Sequence, residues 1–220
     1  MKLQIEYLKK RANKLQKQYG SHNHKAICGA GCISNPKILF LFMNPTARNC
    51  SAMPSWKGIR APWIGTKNIW KMLFSIGILE KNLLNQIHKS GNIWNENFAN
   101  SLYSELSKKS LYMTNLAKCT QIDARTLPDS IFRNYLQDTL EEIYAVNPKY
   151  IISFGNQVSS ILLDKKIKVS DYKNKQSELL RIKNKCFNVY PAYYPIGQGM
   201  RNINKTINRV RFIINKTGRF

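Results

Sequence analysis

Two asparagines stand where short apolar runs end: Asn44 closes the run 38–43, and Asn115 closes the run 111–114. A third run, Tyr150–Phe154, stops at Gly155-Asn156-Gln157. A fourth, 187–190, opens into Pro191 and the tract Tyr193-Tyr194-Pro195-Ile196-Gly197-Gln198-Gly199-Met200-Arg201. A primary amide carries both a donor and an acceptor, and a phenol can donate one hydrogen bond. These ends therefore offer neutral hydrogen-bonding chemistry, with Thr46, Arg48 and Lys118 in the same segments. There is no Gly-x-Gly-x-x-Gly turn and no Gly-Lys-Ser/Thr loop, which counts against a nucleotide cofactor. Three histidines, His22, His24 and His88, assemble no Ser–His–acid set.

Five cysteines form no even disulfide framework and read as reduced thiols. Cys28 and Cys32, with His22 and His24 upstream, could clip a metal, but no second well-spaced pair follows.

The elements that would carry these residues follow from apolar periodicity. Continuous apolar runs bounded by Pro and Gly fit strands buried on both faces of a parallel sheet. Helical patterns lie between them at 68–76, Glu96–Lys108, Asp129–Val146, 156–163 and 202–215. Another covers Lys2–Tyr19, where Leu8, Ala12, Leu15 and Tyr19 share a face. This alternation predicts a three-layer α/β/α sandwich around a mostly parallel four-stranded sheet, in one domain spanning 1–220. Residues 1–28 read as a helix and lead-in, and 165–185 as a surface excursion. In such sheets the working crevice lies beyond the carboxyl ends of the strands, where the two asparagines fall.

Thirty-five Lys and Arg against 12 Asp and Glu give a net charge of +23. An AT-rich genome would enrich Lys but would not suppress Glu, so the scarcity of acids points to a polyanionic partner, nucleic acid above all. No apolar run approaches the ~20 residues of a membrane span, and the Lys-rich start lacks the apolar core of a secretory signal. The expectation is a cytoplasmic protein, nucleoid-associated in a prokaryote, monomeric, with DNA as partner and no membrane association.

In order, these motifs resemble the uracil-DNA glycosylase superfamily from about Gly29 to the C-terminus. The layout is nearest the thermophile-type iron–sulfur branch. Gly29-Ala30-Gly31 and the strand ending Met43-Asn44-Pro45 resemble the first motif, in the Asn-Pro form of the mismatch-specific and single-strand-selective branches. Pro62-Trp63-Ile64-Gly65-Thr66 resembles the family's Pro-Phe-Val-Gly segment. Tyr112-Met113-Thr114-Asn115-Leu116-Ala117-Lys118-Cys119 resembles its Tyr-x-Thr-Asn-Val-x-Lys-Cys block, and Pro148 through Gly155 its Pro-x-x-Ile strand and turn. Pro191 to Asn202 stands at the His-Pro-Ser loop.

The resemblance implies hydrolysis of a base–sugar bond after the nucleotide is flipped out of the duplex. Asn44 would position the water, Asn115 would pair with O4 and N3–H of uracil, and Trp63 would stack on the base, with Met43 beside it. Met200 would wedge into the gap from the minor groove, with Gln198 in the same segment and Arg201 on a phosphate; Arg48, Lys67 and Lys118 would meet phosphates, with Thr46 on the same DNA-facing rim. Lys205, Arg209 and Arg211 are further candidates for phosphate contact.

The chain departs from the pattern at three places. Tyr194 replaces the histidine that donates to uracil O2, with Tyr193 one residue away as the alternative donor. Only Cys119 matches the four cluster cysteines, so no cofactor is expected, although Cys28, Cys32, Cys119 and Cys186 could converge by another route. Met43 replaces an acid, which leaves thymine and other damaged bases open as substrates. The stretch between Leu79 and Leu111, longer than the family's connection, receives no role. Two alternatives remain: a DNA-binding relative without the chemistry, and a nucleotide- or nucleoside-binding α/β protein.

Overall fold

The computed structural model describes residues 2–125 and 127–216. In chain order the elements are α1 (Lys2–Tyr19), β1 (Ala30–Gly31), β2 (Ile38–Phe42), α2 (Asn68–Ser75), α3 (Lys81–Ser90), α4 (Glu96–Lys108) and β3 (Leu111–Asn115). After these come α5 (Asp129–Val146), β4 (Tyr150–Phe154), α6 (Asn156–Leu162), β5 (Glu178–Ile182), β6 (Lys185–Ala192) and α7 (Ile203–Lys216).

The sheet order is β1-β3-β2-β4-β6-β5. The four predicted strands are its parallel centre, and all five residues of β2, β3 and β4 are buried. Two antiparallel edge strands make the sheet six-stranded, not four-stranded. β1 is only two residues long, too short for a periodic signal, and pairs Gly31 with Tyr112. Gly31 has φ +109°, and a side chain there would lie 2.2 Å from the Leu111 carbonyl oxygen, so glycine is required. β5 lies inside the segment expected to be a surface excursion. Its alternate residues Leu180 and Ile182 enter the core while Arg181 stays exposed, the one-face burial of an edge strand.

The sheet pleat sorts the core into two halves, because successive side chains point to opposite faces. Ile38, Phe40 and Phe42 pack with Leu111, Met113, Ile152, Phe154 and Tyr190 beneath α2, α3, α4 and α7. Leu39, Leu41, Tyr112, Ile151 and Val189 pack on the other face beneath α1, α5 and α6. Among the described residues, no helix is long and apolar enough to cross a membrane.

Candidate functional site

The same pleat sets the site. Asn44 follows Phe42 by two positions, Asn115 follows Met113, and Tyr194 follows Ala192, so each continues the parity of the α2/α4/α7 face. Phe42 pairs with Asn115 across adjacent parallel strands, which places the two asparagine-bearing ends side by side. Their exits are zipped together by backbone bonds from Leu116 N to Phe42 O (2.8 Å) and Ala117 N to Met43 O (3.0 Å). Farther out, Ala47 N donates to Gln121 O (2.8 Å) and Gln121 N to Pro45 O (3.0 Å).

These strand ends border a cleft of about 670 Å³. Asn44, Asn115, Trp63, Tyr194, Thr46, Arg48 and Lys67 all line it, as do Asn49, Asn68 and Asn92. No Asp or Glu is among the described residues that line it. Hydrogen-bonding capacity therefore comes from neutral amides and hydroxyls, and net charge from Arg48 and Lys67 at the exposed rim.

Asn115 is 2% exposed, and its Nδ2 is buried without a hydrogen-bond partner. An unsatisfied buried donor costs about 1–3 kcal/mol, so this amide is held at the expense of stability. Asn44 is only partly buried, and its Nδ2 donates to the Pro45 carbonyl at 3.2 Å.

The aromatic wall is held tightly. Trp63 has φ +70°, a conformation rare for a bulky residue. Its carbonyl accepts from Thr66 N (3.1 Å), Thr66 Oγ1 (2.8 Å) and Trp70 Nε1 (3.2 Å), which together fix the turn. The Trp63 ring meets Phe42 edge-on at 5.0 Å and lies 6.3 Å from Tyr194, while its own Nε1 is buried and unpartnered. Strain of this kind persists where surrounding structure over-determines it, often beside functional sites. Burial pushes the Tyr194 phenol well above the usual tyrosine range, with a hydrogen bond from the Met43 backbone pulling the other way. Tyr194 is therefore a neutral phenol. Tyr193, the alternative donor, does not line the cleft.

The turn Gly197–Asn202 has no buried residue, and Gln198, Met200 and Arg201 are exposed on it, Met200 at 41%. A side chain at Gly199 would lie 1.8 Å from the Tyr194 carbonyl oxygen, so the turn sits directly on the Tyr194 backbone.

Several expected residues stand elsewhere. Met43 points to the opposite face and packs with the α1/α5/α6 core, so it is not a base contact. Lys118 is 5% exposed; its ammonium meets Glu142 at 2.7 Å, Thr114 Oγ1 at 3.0 Å and the Asn115 carbonyl, which corrects its assignment to a phosphate. Arg209 is buried away from the cleft, where it donates to the Lys173 and Gln176 carbonyls, and Arg211 is exposed on α7 and donates to the Ser75 carbonyl, so neither lines the cleft. The cysteines do not gather at one place: Cys119 is buried after β3, and Cys186 is exposed near the start of β6. No three His, Cys, Asp or Glu side chains gather to hold a metal among the described residues.

Asn49 and Asn92 carried no signal in the sequence. Asn49 braces the loop, donating to Ala61 O (2.7 Å) and accepting from Ser51 N (3.0 Å) and Ser51 Oγ (2.7 Å). Asn92 comes from the α3–α4 connection, so the stretch that received no role supplies part of the cleft wall.

Fold and cleft together define an α/β/α sandwich with an amide-lined crevice beyond the carboxyl ends of its parallel strands. No protein-family model matches this chain, and no curated protein matches it.

Proposed function

We propose that the chain is a DNA glycosylase that hydrolyses the N-glycosidic bond of uracil, or of a related deaminated or mismatched base, as the first step of base excision. The observation that carries this reading is Asn115, a buried amide with an unpartnered donor on the wall of a cleft it shares with Asn44.

An extruded uracil would enter between Trp63 and Tyr194. Asn115 Nδ2 would donate to O4 while its oxygen accepts N3–H; cytosine presents the reverse pattern and would be refused. Stacking on Trp63, worth about 1–3 kcal/mol, offsets much of the few kcal/mol that extrusion costs. Asn44 would orient a water beneath C1′. As the C1′–N1 bond breaks, its electron pair passes to the base, and the water oxygen bonds to the cationic C1′ and releases a proton to solvent. A neutral amide is a poor base, so the rate would rest on positioning and on stabilising the departing anion. The Tyr194 phenol would donate to O2 as charge accumulates there. Arg48 and Lys67, on the rim, would meet phosphates, and the exposed Met200 would fill the vacated stack. In this reading the protein acts as a monomer in the cytoplasm, on the nucleoid where there is one.

The test is incubation with labelled oligonucleotides carrying U, T opposite G, or hypoxanthine, followed by alkaline cleavage of abasic sites. Strand breaks at U that vanish with Asn44→Ala are the expected result. Tight DNA binding with no abasic product on any substrate overturns the enzymatic reading and leaves a DNA-binding relative, for which Tyr194 in place of histidine is the structural argument.

A further inference from the structure

A second recess, of about 290 Å³, opens beside the cleft: Tyr193 lines it, while the next residue, Tyr194, lines the cleft. Arg209, which also lines it, is 4% exposed. Its two terminal nitrogens donate to the carbonyls of Lys173 and Gln176, the latter at 2.6 Å, but its Nε has no partner. The Tyr172 and Tyr190 ring centroids lie 5.8 and 5.7 Å from the guanidinium.

None of the ion pairs among the described residues includes Arg209. The acids of this region are engaged elsewhere: Glu178 is held by Tyr172 Oη (2.6 Å) and Lys165, and Asp171 accepts from Ser170 Oγ (3.1 Å). Burial lowers the Arg209 pKa to about 10, as expected of a cation withdrawn from water. Removing a charge from water is costly unless a countercharge compensates it, and carbonyl dipoles and ring faces supply only part of that compensation.

The rest of the recess is donor-rich. Lys205 lines it with its ammonium 5.7 Å from the Tyr193 ring centroid, and Ser170, Asn174 and Asn208 add hydroxyl and amide groups. No carboxylate lines it among the described residues. A tetrahedral oxyanion meets several such donors at once and supplies the missing countercharge.

We propose that this recess is a phosphate-ester site, with Arg209 and Lys205 as its cations. Resting on the glycosylase reading, the phosphate belongs to the DNA strand beside the extruded nucleotide; a free phosphate ester is the other source of the same chemistry.

The test uses the full chain and Lys205→Glu, an exposed position whose new carboxylate would compete with phosphate. Inorganic phosphate, compared with chloride at matched ionic strength, should raise the melting temperature of the native protein and not that of Lys205→Glu. Oligonucleotide affinity measured against salt should lose about one unit of log–log slope in Lys205→Gln if the phosphate is DNA's. A phosphate response that Lys205→Glu abolishes, with the oligonucleotide slope unchanged in Lys205→Gln, assigns the site to a free phosphate ester. No phosphate-specific stabilisation together with an unchanged slope overturns the proposal. Arg209→Lys, which keeps the charge but loses the fork, should weaken the phosphate response if it folds, and the Lys205 variants decide the matter if it does not. Both readouts are independent of abasic product, so a failure of the glycosylase reading would be seen separately.

Discussion

Lys118 Nζ lies 2.7 Å from Glu142 Oε2, and both side chains are less than a tenth exposed. Tyr112 Oη (2.7 Å) and Thr114 Oγ1 (3.0 Å) also donate to this carboxylate. The conspicuous block 112–119 is thus divided by the pleat of β3. Tyr112 and Thr114 turn toward α5 and build a buried polar knot, while Asn115 alone turns toward the cleft. Glu142→Ala should cost about 3–5 kcal/mol, because it strands a buried ammonium, and Glu142→Gln less. Urea denaturation of the full chain measures both.

Asn44 belongs to the other class. It is partly exposed and makes a single hydrogen bond, to its neighbour Pro45. Asn44→Ala should leave stability within about 0.5 kcal/mol. It should nevertheless reduce the single-turnover rate of abasic-site formation by at least ~10²-fold, the scale of a lost positioning contact. Loss of both activity and fold would return Asn44 to a structural turn residue.

Asn115 should separate stability from function in the opposite direction. Its Nδ2 is buried without a partner, so Asn115→Leu should be neutral or stabilising by about 1 kcal/mol, which a melting curve reports. The same variant should lose uracil excision. Asn115→Asp replaces the donor by an acceptor and should shift binding from uracil toward cytosine, readable by competition with the free bases.

Much of this arrangement was legible in the residues. The runs that became β2, β3 and β4 are mostly apolar because both faces are covered, the 187–190 run of β6 less so because Asn188 is exposed, and Asn44, Asn115 and Tyr194 could be placed at their ends. The edge strands were not legible. β1 has two residues, and β5 sits in a Lys-rich tract where only Leu180 and Ile182 point inward. Charge was the least legible property. Lys118 and Arg209 look like surface cations in a chain of net charge +23, yet both are buried, engaged by a carboxylate from α5 and by carbonyls of the 173–176 loop. Asn92 could not be found because its place in the cleft depends on how the α3–α4 connection folds back over Gly65, where a side chain would lie 2.8 Å from the Asn92 carbonyl oxygen.

Tyr194 makes its own prediction. Its phenol, pushed upward by burial from the ordinary tyrosine value near 10, stays protonated from neutral to mildly alkaline pH. Its ionisation should therefore not appear in the rate profile between about pH 6 and about pH 9. Tyr194→Phe should slow excision by ~10²–10³-fold, as for a lost donor to a developing anion, without weakening DNA binding. Tyr194→His, restoring a ring N–H donor, should recover part of that loss. Single-turnover rates across pH check both; equal rates in the native protein and Tyr194→Phe would remove Tyr194 from the chemistry.

Strongly alkaline solution should unfold the protein by way of phenols and thiols partly or wholly withdrawn from water. Burial raises the phenols of Tyr103, Tyr112 and Tyr135, and raises the Cys28 thiol to about 12. In the unfolded chain a thiol titrates near 8.5 and a phenol near 10. Above those values the unfolded state releases protons that the folded state retains, so the unfolded state binds fewer, and stability falls as pH rises. Each group contributes at most ~1.4 kcal/mol per pH unit while the medium lies between its unfolded and folded pKa. The loss should begin near pH ~9 with Cys28, joined by Cys50 and Cys119, whose thiols burial also raises, and steepen above pH ~10 as the tyrosines join. Denaturation midpoints taken in steps from neutral pH upward give the curve. Cys28→Ala should remove part of the early decline and leave the Cys50, Cys119 and tyrosine contributions in place.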